Sequence, residues 1–396
     1  MIEFYGQANP RLQKAIINLC FYNDSSGIAL IDKAIIDDKL SGEQVRMLPL
    51  LYNKTSLERF STFSRSRIRG MYKHTLSRNH LLLIEAIKFK KKLNASGYEK
   101  VLFLKGAALL FYEQRNFGQR PMADIDVLVP DFSDDFDKAI SFINNFNYKI
   151  NSCGLREVSI VNDKKIEFDI HWYLAHGALK KRTVDKMLGR AIKVHYYDTD
   201  ILVPCYEHQL AHLIVHGVFA PTLTYDARWV IDAIDLLSYK HRIDPNVFLD
   251  FVEDFTFPSK IKYGIDLIVE NIKSNTLINK KALREISENI KPANNWLGYF
   301  YNQKARPNLA FSEDKKQNSW IKSGICTHII EPIIVARYNR RSYLESFALA
   351  LKFPPPSICQ AFYLLFIKIY SRFFYRLSII LKISQKKILK KIMIRH

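Results

Sequence analysis

Apolar residues recur along this chain with two different periods, and the change of period divides it. Residues 8–95 carry a helical pattern. Short apolar-periodic stretches at Ala15 to Cys20, Ile28 to Ile36 and Val45 to Tyr52 are separated by Asp, Ser and Gly turns. A longer helix is predicted from about Arg59 to Asn94, interrupted near Gly70, and Asn94-Ala95-Ser96-Gly97 supplies its C-terminal stop. Between 96 and 205 short β-like runs enter. Val101 to Leu104 reads as a strand, Lys105-Gly106 as a tight turn opening a helix, and the residues around Asp124 and Asp126 as a second strand. Ser133 can cap a helix containing Phe136, Ile140, Ile143 and Phe146. Further β-like runs follow at 148–150, Glu157 to Val161 and Ile166 to Ile170, the last two joined by an Asn162-Asp163 turn as a hairpin. Helices return from Pro204 to about Val218 and again from Arg228 to Leu237. The polar stretch Asn302 to Asn318 reads as a loop, and Pro354-Pro355-Pro356 as a stiff linker. The expected organisation is a helical N-terminal region (1–95), a catalytic core (96–205), a helical C-terminal domain (206–352) and a basic amphipathic tail (353–396). The fold class is α+β, a mixed sheet flanked by helical regions.

The chemistry concentrates in the core. A strand puts residues i and i+2 on one face, so Asp124 and Asp126 point the same way, with Cα atoms about 6.6 Å apart. A third carboxylate, Asp169, lies in Lys165-Ile166-Glu167-Phe168-Asp169-Ile170-His171-Trp172, also of strand character. If the two strands are neighbours, Asp169 joins the pair. Mg²⁺ takes oxygen ligands and is held by a few carboxylates plus substrate phosphates, and two such ions can flank an in-line displacement. Gly106 opens a helix whose free N–H groups favour a phosphate, and Lys105 adds a positive charge beside it. Asp-x-Asp alone occurs often by chance. The order strand, Lys-Gly, helix, Asp-x-Asp, apolar strand and later strand-borne Asp is more specific.

Leu104-Lys105-Gly106, Tyr112, Arg120, Asp124-Ile125-Asp126-Val127-Leu128-Val129 and Phe168-Asp169-Ile170-His171-Trp172 resemble the uncharacterised nucleotidyltransferase branch, family 5, of the DNA polymerase β-like superfamily. The resemblance covers roughly residues 75–240. It implies a polymerase-β-like mixed sheet, Asp124, Asp126 and Asp169 as catalytic metal ligands, two Mg²⁺ ions, and transfer of a nucleoside monophosphate from an NTP to an acceptor. Lys105, Gly106, Arg120 and His171 are the expected substrate-binding residues, with Lys105 and Arg120 set to stabilise charge on the triphosphate. One departure stands out: the superfamily's Gly-Ser pair before Asp-x-Asp is here Lys105-Gly106.

Composition widens the range of partners. The 59 basic and 39 acidic residues give a net charge of +20, which suits nucleotides, nucleic acid or an acidic membrane surface. No nucleic-acid reading motif is present, and the basic residues are dispersed or terminal, so nucleic acid is not favoured. The five cysteines are scattered without Cys-x-x-Cys spacing, which excludes a zinc or disulfide framework and fits the cytoplasm. No signal peptide is evident at the N-terminus, and there is no uncharged apolar run of about 18 residues. Residues 353–396 hold nine Lys/Arg and no Asp or Glu. From 357 to 396 an amphipathic helix lying on an anionic membrane surface is expected, placing the protein peripherally on the inner face of the membrane. His208, His212 and His216 line one face of their helix; polar contact with the catalytic sheet is the expected role, since about 12 Å of rise keeps one ion from reaching all three. Asp232 and Asp235 are expected in caps or ion pairs. The competing function is a catalytically inactive nucleotide-sensing or partner-binding protein with the same fold.

Overall fold

The computed structural model describes residues 10–291, apart from 113–115, 134–135, 154–155, 176–177, 179, 220–227, 239–242, 256–257 and 273–277. The predicted loop at 302–318, the linker and the tail at 357–396 lie outside the described residues. Five helices come first: α1 (Pro10–Tyr22), α2 (Ile28–Ile36), α3 (Gly42–Val45), α4 (Leu48–Lys54) and α5 (Thr62–Ala95). The core follows as β1 (Leu102–Phe103), α6 (Lys105–Phe111), β2 (Ile125–Leu128), α7 (Phe136–Asn145), β3 (Lys149–Cys153), β4 (Glu157–Val161), β5 (Glu167–His171), α8 (Lys181–Gly189), β6 (Ile192–Tyr196) and β7 (Thr199–Val203). Helices α9 (Tyr206–Phe219), α10 (Arg228–Ser238), α11 (Pro245–Glu253), α12 (Pro258–Asn271) and α13 (Lys280–Asn289) close the described chain.

The fold is mixed α+β. Among the described residues seven strands form one sheet in the order β3-β4-β5-β2-β1-β7-β6. The hairpins β3-β4, β4-β5 and β6-β7 are antiparallel, as is β1-β2, whereas β2 pairs with β5, and β1 with β7, in parallel. The β6-β7 hairpin was not predicted: Lys193, His195, Asp198 and Asp200 on this edge obscure its apolar alternation, yet β7 is the strand that flanks β1.

Alternation decides which side of the sheet does what. In β5, Phe168 and Ile170 turn to one face, and the register places them beside Ile125 and Val127 of β2 and opposite Ile160 and Val158 of β4. That face is an aromatic layer: Phe89 of α5 stacks on Phe168 at 4.4 Å between centroids and meets Phe142 of α7 and Tyr148 edge-on. The opposite face carries Asp126, Glu157, Ser159, Glu167, Asp169 and His171.

Helix α5 runs unbroken through Gly70, a correction to the predicted interruption. Gly70 is exposed with open space around it. A glycine there costs a helix about 1 kcal/mol, which the buried stripe Ile68, Thr75, Asn79, Leu82, Leu83, Ala86, Phe89 and Leu93 outweighs. Ser61 caps its start by accepting from the Ser64 N–H, and Gly97, at φ +86°, ends it as predicted.

One residue of α5 reaches the segment leading into β2. Asn79, fully buried, donates through Nδ2 to the carbonyls of Phe117 (2.5 Å) and Arg120 (2.8 Å) and accepts the Met122 N–H at 3.2 Å. Removing these partners strands buried backbone groups. Asn79→Ala is expected to lower stability by about 2–3 kcal/mol in urea unfolding; a loss below about 0.5 kcal/mol would mean that the segment is held by other contacts.

Candidate active site

The polar face of β2 and β5 gathers the predicted residues. Asp126 is the Cα partner of Asp169 on the adjacent parallel strand, and Asp124 lies immediately before β2. His171 stands two residues beyond Asp169 on the same face. Its Nε2 is 3.0 Å from Asp126 Oδ1, and its Nδ1 lies 2.9 Å from Glu157 Oε2, at ion-pair distance. Lys105 reaches the same Asp126 oxygen at 2.5 Å. Asp126, only 4% exposed, thus faces the Lys105 ammonium and the His171 ring.

The charges follow from these distances. Burial pushes the Asp126 carboxyl up, but Lys105 and His171 outweigh it and hold the group far below the usual carboxylate range. Burial opposes the charge on Lys105 and on His171. Asp126 and Glu157 overcome it for Lys105, as do Glu157 and Asp126 for His171, and both groups are raised. Burial also disfavours Glu157, yet Arg156 and His171 lower it well below normal. Asp169 behaves oppositely: burial, then Asp126, pushes it up to about 6. The same two causes raise Asp124. Ionised carboxylates side by side, with burial added, favour one another's protonation.

Among the described residues, the donor atoms of Asp126, Asp169 and His171 all lie within 4.8 Å of one another. Two carboxylates and an imidazole converging from a buried face fit a divalent cation. Asp124 stands outside that group but feels Asp126 and Lys105 directly. Glu167, on the same face, is engaged by Ser159 Oγ at 2.6 Å and Asn151 Nδ2 at 3.3 Å.

Lys105 is held in an unusual backbone state. Its φ is +44°, the left-handed region that a residue with a Cβ adopts at a cost of about 1 kcal/mol. Two contacts hold that turn: Leu104 N–H donates to the Asp126 carbonyl at 3.0 Å, and Gln209 Nε2 of α9 donates to the Lys105 carbonyl at 3.1 Å. Gly106 follows because a Cβ there would collide with Arg120 Nη1. Arg120 grips Asp232 of α10 through Nε (2.9 Å) and Nη2 (2.8 Å), a buried bidentate pair. Asp235 pairs with Lys54 at 3.2 Å. Both aspartates are therefore ion-pair residues, as expected. Tyr112 donates to the Pro204 carbonyl at 2.6 Å and stacks on Tyr206.

The three histidines of α9 divide. His212 Nε2 is 3.1 Å from the Leu174 carbonyl, just past β5, and burial with Lys105 nearby lowers it to about 3. His216, exposed at the surface, is lowered chiefly by the charge of Lys105. His208 instead stacks on Phe251 at 3.9 Å.

A family model described as an uncharacterised nucleotidyltransferase matches residues 43–270. The chain belongs to this family. The match takes in α3 to α12 and with them every residue of the site. No curated protein and no solved structure matches the chain. In this nucleotidyltransferase family member, Glu157, Gln209 and Asn79 are the residues that sequence reasoning missed. Glu157 had a signal: it alternates with Ser159, and the hairpin turn at Asn162-Asp163 puts it opposite His171. Gln209 and Asn79 sit on long helices remote in sequence and left none.

Asp169 gives a test of the electrostatics. A rise to about 6 corresponds to at most about 3 kcal/mol, and partial exposure reduces this to about 1–2 kcal/mol. Being raised on folding, the ionised carboxyl weakens the metal-free fold as pH climbs through about 6. Asp169→Asn should stabilise the metal-free protein by about 1–2 kcal/mol at pH 8 and not at all below about pH 3, where the carboxyl is protonated in both folded and unfolded chains. Urea unfolding across that range checks it; an equal gain at both ends would contradict the assignment.

Proposed function

We propose that the protein transfers a nucleoside monophosphate from an NTP to a hydroxyl-bearing acceptor, with divalent cations held by Asp124, Asp126 and Asp169. The observation that carries this reading is the register of β2 and β5, which sets Asp126 beside Asp169 on the polar face, with Asp124 immediately before β2. Mg²⁺ fits Asp124 and Asp126, whose donors are oxygens alone. Bound cations would neutralise the triphosphate and align it for in-line attack.

In the reaction the acceptor oxygen forms a bond to the α-phosphorus, the bond from that phosphorus to the bridging oxygen breaks, and pyrophosphate leaves. Asp169, on the strand beside Asp126, is the base for the acceptor's proton. Lys105 changes partner, from the Asp126 carboxylate to the phosphates, and offsets their charge. Arg120, paired with Asp232 and packed where a Cβ of residue 106 would lie, acts on the site from behind Gly106. This reading extends to the tail at 357–396, whose nine Lys/Arg without acidic residues suit an anionic bilayer. No helix among the described residues is long and apolar enough to cross a membrane.

Incubation with labelled NTPs, Mg²⁺ and cell extract tests the activity, a labelled acceptor being the expected product. Asp124→Asn should abolish labelling while leaving the fold intact, because Asp124 stands outside the Lys105–Asp126–His171–Glu157 contacts. Full labelling by that variant would remove Asp124 from the site.

Lys105→Ala should act in opposite directions on the two ligands. Without nucleotide it frees an Asp126 oxygen, so calorimetry should show divalent-cation affinity rising severalfold. NTP affinity should fall in the same variant. A fall in both would mean that Lys105 holds the site together rather than exchanging partners.

A further inference from the structure

We infer that His171 supplies a nitrogen ligand to a cation shared with Asp126 and Asp169, that Glu157 positions its ring, and that this inner position prefers Mn²⁺ to Mg²⁺. The inference rests on the proposed reading of the carboxylates as cation ligands, but adds a residue of different chemistry and a metal preference.

Three observations carry it. The first is convergence. Donors at about 2.1 Å from an octahedral ion lie roughly 3 Å apart when adjacent and about 4.2 Å when opposite. Asp126, Asp169 and His171 already lie within 4.8 Å of one another, so small side-chain adjustments bring all three to one centre. The second is burial. His171 is 1% exposed, which removes its ring from the reach of a substrate arriving from solvent and turns Nε2 toward Asp126. The third is the group behind the ring. Antiparallel pairing puts Glu157 directly opposite His171, with Oε2 2.9 Å from Nδ1, a close charge contact that a small ring rotation would turn into a hydrogen bond. A carboxylate on the far nitrogen of an imidazole fixes the tautomer that presents the near nitrogen to a metal. Glu157 is anchored in turn by Arg156 at 3.6 Å.

The metal preference follows from the donors. Mg²⁺ favours an all-oxygen shell, whereas first-row transition ions accept imidazole readily. Asp126 then separates two unlike positions: an outer one with Asp124, oxygen only, and an inner one with Asp169 and His171.

The competing interpretation is that Glu157, His171 and Asp126 form an internal chain of ion pairs and touch no metal. Electron spin-echo envelope modulation on Mn²⁺ added to the full-length protein, without nucleotide, separates the two. Modulation from a directly coordinated ¹⁴N is expected, replaced by the ¹⁵N pattern when the protein is grown with ¹⁵N-histidine. That comparison uses the wild-type chain and needs no variant to fold. Among variants, His171→Asn should lose the nitrogen signal. Glu157→Gln should keep it while Mn²⁺ affinity drops about 10- to 100-fold. Mg²⁺ should displace the nitrogen-coupled ion only in more than 100-fold excess. Bound Mn²⁺ without nitrogen coupling, or no Mn²⁺ binding at all, would overturn the inference. Mg²⁺-dependent nucleotidyl transfer alongside an absent nitrogen signal would sink the inference alone. Nitrogen-coupled Mn²⁺ in a protein that transfers no nucleotide would support it and overturn the proposed activity instead.

Discussion

One buried anion organises the site. Asp126 lies in a central strand whose four residues are all buried, where an unpaired carboxylate would be protonated or would unfold its surroundings. It stays ionised because Lys105 and His171 both reach its Oδ1. Each of those partners depends on other groups. Lys105 is presented by a left-handed turn fastened by Gln209, and His171 leans on Glu157. Breaking a buried pair of this kind from one side costs about 3–5 kcal/mol, so the constellation is coupled and the elements carrying it are fixed relative to one another.

That dependence explains why helices far apart in sequence meet here. Helix α5 holds the approach to β2 through Asn79 and the β4-β5 turn through Glu85, which receives Asn162 Nδ2 and Lys164 Nζ. On the other side, α9 fixes the Lys105 carbonyl and α10 fixes Arg120. The apolar face of the sheet is filled by the aromatic layer around Phe89 and Phe168, leaving the polar face to chemistry. A site built on adjacent strands, with helices setting the groups around it, is rigid where the carboxylates are placed, and under the proposed function Lys105 is the group that moves.

Much of this was legible in the residue pattern. Period-2 alternation in Glu157–Val161 and Glu167–His171, with a turn at Asn162-Asp163, specifies a hairpin with one polar face, and the strand register bears it out. Asp-x-Asp before an apolar strand identifies the carboxylates. What the pattern did not reveal has physical reasons. The β6-β7 edge is exposed and charged, so its alternation is blurred although its inner strand completes the sheet. Arg120 reads as a free cation in sequence, but Asp232, 112 residues away, takes two of its nitrogens. The strain at Lys105 is likewise invisible locally, because contacts from β2 and α9 impose it.

The central claim is that the polar face of β2 and β5 receives a cation and a triphosphate together. A crystal of the full-length protein grown with Mn²⁺ and a non-hydrolysable NTP analogue tests it most directly, by anomalous scattering. The account predicts a metal peak in contact with Asp126 and Asp169, and Lys105 Nζ moved from Asp126 onto the phosphates. A triphosphate bound elsewhere, with Lys105 still on Asp126 and no metal peak between the strands, would contradict it.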